Sequence, residues 1–60
     1  MNQKRMQEHL TKEALKRIVD SSPNYTEQIK QDLKNIIDAG NTLEEIAEAI
    51  LIYFAFLHFN

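Results

Sequence analysis

The sequence predicts an all-α fold, a small three-helix domain assembled as a homodimeric helical bundle. Three observations carry that expectation. The one proline and one glycine among the 60 residues divide the chain into three stretches, and each places apolar residues three and four apart, the spacing of a helix face. No stretch alternates convincingly at strand period; Tyr53 to Phe59 has β-rich composition, but it continues a capped helical segment. Finally, 13 of the 26 apolar residues lie between Leu43 and Phe59. A chain of this size buries only about 60% of its unfolded surface, so that payload exceeds what one copy can cover.

Residues 1–9 hold one large internal apolar residue, Met6, and read as a flexible or frayed tail. Residues 10–60 then form a single domain. The first helix is expected over 10–21, with Leu10, Ala14, Leu15 and Ile18 on one side. Glu8/Lys12 and Glu13/Arg17 are acid-before-base pairs four apart, each worth about 0.2–0.5 kcal/mol. Ser21-Ser22-Pro23 ends the helix, because the residue before proline avoids helical geometry.

The second helix is expected over 24–39. Asn24 with Glu27 has the spacing of an N-cap and its N3 partner, while Ser22-Pro23 offers a start with proline at N1. Tyr25, Ile29, Leu33 and Ile36 form its apolar line, widened by Ile37, against Glu27, Gln31, Lys34 and Asp38. Gly40 closes it where left-handed geometry is favoured. The third helix, 42–59, opens on a Thr42–Glu45 capping box, with Glu44, Glu45 and Glu48 at the positive end of its dipole. Such short connectors imply near-antiparallel or sharply crossed neighbours.

Advancing about 100° per residue places Leu43, Ile46, Ala47, Ile50, Phe54 and Leu57 on one stripe of the third helix, facing both other helices. The expected core is therefore Leu10, Leu15, Ile18, Ile29, Leu33, Ile36, Leu43, Ile46, Ile50, Phe54 and Leu57. Glu45 and Glu48 lie opposite the stripe, and one turn later Ile52, Phe56 and Phe59 continue their line. With Tyr53 they form the expected interface, for a second copy of the chain or for another protein. The nine apolar residues from Ala49 to Leu57 cover about 14 Å of a ~30 Å hydrocarbon core, too little to span it.

Little in the sequence supports chemistry. His9 and Glu13 are four apart and supply two ligands, too few for a metal site. His58 suits a helix C-terminus more than general-base work. The absence of cysteine removes disulfides and thiolate sites, and a single glycine rules out a glycine-rich phosphate loop. No enzyme activity, cofactor or metal is expected. Asn24-Tyr25-Thr26 matches a glycosylation sequon by chance, and the cytoplasm is the expected location. Net charge is −2 and the isoelectric point about 5.5, which argues against nucleic acid. Membrane binding is opposed by the glutamates that begin the third helix.

Gly40 to Ile50 (GNTLEEIAEAI) resembles the first helix of a helix-turn-helix motif. The glycine-containing turn and basic recognition helix that should follow are replaced by the apolar run Leu51 to Phe59, with no Lys or Arg after Lys34. The chain is therefore not assigned to that class. The expected function is a non-catalytic regulatory protein, dimeric through its C-terminal helix, that binds or inhibits another protein. The alternative is a small dimeric DNA-binding transcriptional regulator, using Lys4, Arg5, Lys12, Lys16 and Arg17 on a basic N-terminal helix.

Overall fold

A computed structural model describes the backbone of residues 3–59 and the side chains of residues 9–59. Three helices follow in order: α1 (Gln3–Ser21), α2 (Glu27–Ala39) and α3 (Leu43–Phe59), with no strand among the described residues. The all-α, three-helix fold is as the sequence predicts, and the boundaries differ in ways that side chains explain. α1 begins at Gln3 rather than near Leu10, so the expected tail is helical from residue 3; residues 1 and 2 lie outside the described residues.

α2 begins later than expected because Thr26, not Asn24, caps it. The Thr26 hydroxyl accepts a hydrogen bond from the Ile29 amide at 3.2 Å, satisfying a donor that has no partner inside the helix. Asn24 lies in the preceding turn, where its amide points to the Ser22 hydroxyl at 3.4 Å. α3 starts as its capping box predicts. The Thr42 hydroxyl accepts from the Glu45 amide at 3.1 Å, and Glu45 Oε1 reaches back to the Asn41 amide at 2.9 Å.

The central helix is α2, not α3. α1 and α3 each pack against α2, which corrects the expectation that the apolar stripe of α3 faces both other helices. The buried core is small: Val19 from α1, Leu33 and Ile37 from α2, and Ile46 from α3. Leu15, Tyr25, Ile29, Ile50, Tyr53 and Phe54 pack around it, half-buried. Ile36 is half-buried as well.

Four residues expected in the core are exposed: Leu10, Ile18, Leu43 and Leu57. For α1 the cause is rotation about its axis. The helix carries two apolar lines, Leu10–Ala14–Ile18 and Leu15–Val19, and lysines on the second side decide between them. Lys12 Nζ donates to the Asp38 carbonyl at the C-terminal end of α2 (3.1 Å), and Lys16 Nζ to the Asp38 carboxylate (2.8 Å). Those contacts turn Leu15 and Val19 inward. For α3 the cause is length. Leu43 is its first residue, and Leu57 lies past Phe54, whose ring meets Tyr25 just before α2 begins.

The α1–α2 contact is clamped at both ends. Reciprocally to Asp38, Lys34 Nζ reaches the Asp20 carboxylate (2.9 Å) and Lys30 Nζ the Asp20 carbonyl (3.1 Å). Each clamp sets lysines of one helix on the C-terminal carbonyl end of the other, where the dipole favours cations. The clamps also fix the antiparallel sense.

Gly40 has an extended backbone (φ −73°, ψ 146°) rather than the left-handed geometry expected of it. Its role is close approach. A Cβ at this position would collide with the Ile46 side chain, at Cγ1 and, 3.3 Å away, at Cδ1. The bare backbone lets Ile46 seat itself over the end of α2.

Candidate functional site

α3 approaches α2 with Ile46, Ile50, Tyr53 and Phe54. Its inward face is thus rotated toward Tyr53 relative to the stripe centred on Leu43. Tyr53, expected at the outer interface, instead ties α3 to α2: its hydroxyl donates to Asp32 Oδ2 at 2.7 Å, while Asp32 Oδ1 accepts from Gln28 Nε2 at 2.9 Å. Burial, and then the Asp32 carboxylate, push the phenol above its usual pKa of 10.0. The Phe54 ring packs between Tyr53 and Tyr25, with ring centres 5.6 and 5.9 Å apart.

The opposite face of α3 carries the other three expected interface residues, and all are exposed: Ile52 by 57%, Phe56 by 67% and Phe59 by 83%. Leu51, absent from the expected set, joins them at 69%. A signal for it existed, since Leu51, Ala55 and Phe59 are spaced by four, one line beside Ile52–Phe56. No Asp, Glu, Lys or Arg occurs after Glu48. His58, exposed in the last turn, stacks edge-on against Phe59 with ring centres 5.5 Å apart.

Area gives this face its weight. The chain exposes 4940 Å², whereas a folded monomer of 7.0 kDa is expected to expose about 4,000 Å². The radius of gyration is 12.3 Å against about 10 Å for a compact domain of this length. The elongated outline, 43 × 21 × 12 Å, accounts for part of the excess.

Other candidate sites are weaker. A cavity of about 20 Å³ opens among Thr11, Lys12, Asn41, Thr42, Leu43 and Ile46, room for roughly one water. Among the described residues, no group of three or more His, Cys, Asp or Glu is placed to hold a metal ion, and no helix is long and apolar enough to cross a membrane. His9 and Glu13 form no bond that draws them together; Glu13 pairs with Lys16 at 3.2 Å, not with Arg17.

Among the basic residues of the DNA-binding alternative, two are paired within the chain. Lys12 and Lys16 are engaged by Asp38 and Arg17 is exposed, while the side chains of Lys4 and Arg5 lie outside the described residues. Asp38 and Glu13 raise the Lys16 pKa above its usual 10.5, and Lys16 holds the Asp38 carboxyl below its usual 3.8. The pair is neutralised inside the chain.

Compared with protein-family models, with characterised proteins and with solved structures, the chain finds no match.

Proposed function

We propose that this is a small, non-catalytic helical interaction protein that self-associates through the outer face of α3 and regulates another protein by binding or inhibiting it. One observation carries the reading. Leu51, Ile52, Phe56 and Phe59 form a continuous exposed apolar face on one helix, with no Asp, Glu, Lys or Arg after Glu48 to keep it in water. Exposing several large side chains forfeits about 1.5–3 kcal/mol for each that a partner would cover fully. A second copy recovers that energy without any other surface, because a two-fold contact uses the same patch twice.

Regulation of another protein would use the same face. An apolar helix face is what a helix-binding groove accepts, so a target would compete with the second copy for α3. The proposed setting is the cytoplasm, in keeping with a cysteine-free composition.

Binding of α3 to a partner is tested by Phe56→Asp. Phe56 is 67% exposed and lies outside the core cluster, so the variant is expected to retain its helical circular dichroism. It loses self-association and the concentration dependence of melting that an oligomer shows. A melting temperature independent of concentration in the unmodified chain contradicts the proposal.

A further inference from the structure

We infer that the occupant of the α3 face is a second copy of this chain lying antiparallel on it, with the two-fold axis passing between Ala55 and Phe56. The inference rests on reading α3 as an association face, and three observations favour this pairing.

The first is charge. Along the outer face, Glu45 and Glu48 mark one end and nothing ionic follows as far as the aromatic end at Phe59. Side-by-side parallel helices set each glutamate beside its own copy, a like-charge pairing that destabilises. The antiparallel pairing lays Ile52 against Phe59 of the second copy and sets the two copies' glutamates far apart, at opposite ends of the contact. The second is shape. Ala55 is the one small side chain in the patch, and this register places it opposite Phe56 of the second copy, a hollow for a ring.

The third is area. The two phenylalanines, Leu51 and Ile52 together leave on the order of 500 Å² uncovered per copy, at roughly 150–250 Å² for a full aromatic side chain. Doubled by symmetry this is at most about 1,000 Å², the area a biological interface must clear and the size of a weak, reversible one rather than a permanent one.

The chain has no cysteine, so Glu48→Cys gives a single attachment point for a spin label at an exposed residue outside the contact. In the antiparallel pairing the two labels are separated by 15 positions along the helix axis, roughly 22 Å at ~1.5 Å each. With ~8–10 Å between axes, the separation is about 25 Å. A parallel pairing sets them roughly 10 Å apart. Pulsed electron resonance on a sample whose two-chain mass is confirmed by light scattering reads the difference. A two-chain mass with a separation near 25 Å supports the inference. A two-chain mass with a separation near 10 Å overturns the antiparallel pairing and leaves α3 as an association face. A one-chain mass overturns both.

Discussion

Tyr53 donates its phenolic hydrogen to Asp32 at 2.7 Å, and that bond decides which side of α3 is covered. With Tyr53 held against α2, Ile46, Ile50 and Phe54 follow it inward, and Ile52, Phe56 and Phe59 are turned away. Tyr53→Phe keeps the ring and removes the hydroxyl, leaving Asp32 without that donor, so a lower melting temperature is expected. Burial and Asp32 raise the phenol pKa from its usual 10.0. A raised folded pKa means a contribution that is complete below the unfolded value and is lost as pH rises through the folded one. Melting scans above pH 10 should therefore destabilise the natural chain more than Tyr53→Phe; equal losses in the two would remove the bond's role.

The Lys16–Asp38 pair contributes over a broad pH window. Asp38 has a folded pKa below its usual 3.8, so its contribution is present above that value and fades as pH falls. Lys16 has a raised pKa, so its contribution is present below 10.5 and fades as pH rises further. Asp38→Asn is expected to lower the melting temperature at pH 7 and to narrow its gap from the natural chain as pH drops toward 2. An exposed pair is screened by salt, so the gap also shrinks in 1 M sodium chloride.

The rotation of α1 is tested by paired truncations. Val19 is buried while Ile18, its neighbour in sequence, is 65% exposed. Ile18→Ala should change stability by no more than about 0.5 kcal/mol. Val19→Ala removes two buried methyl groups and should cost about 1.5 kcal/mol or more, at ~0.8 kcal/mol each plus the cavity left behind. Urea melts giving equal losses for the two variants would contradict the assignment of faces.

Gly40→Ala tests close approach rather than backbone conformation. The extended backbone at this position suits any residue, so a conformational account predicts a neutral change. The clash with Ile46 predicts destabilisation of about 1–3 kcal/mol, the usual range for overpacking. Denaturant unfolding distinguishes them.

Much of the fold was legible in the sequence. One proline and one glycine marked both connectors, and the Thr42–Glu45 box started α3 correctly. What misled was ambiguity within helices. α1 carries two apolar lines, and its own sequence cannot choose between them; the choice is made by Asp38, more than 20 positions away, binding Lys12 and Lys16. The apolar line of α1 nearest the expectation, Leu10 and Ile18, therefore turned out exposed. α3 is apolar nearly all round, so periodicity alone left its facing uncertain by a fraction of a turn, enough to move Tyr53 inward and Leu51 outward. Phe56, Phe59 and Ile52 were found because they continue the line of Glu45 and Glu48, whose charges mark the solvent side.

The mass of the natural chain in solution at micromolar concentration, read by light scattering beside that of Phe56→Asp, bears most directly on the role of α3. A natural chain at roughly 14 kDa, twice 7.0 kDa, with a folded Phe56→Asp at 7.0 kDa, is the expected result. A natural chain that is folded and helical at 7.0 kDa contradicts self-association through this face.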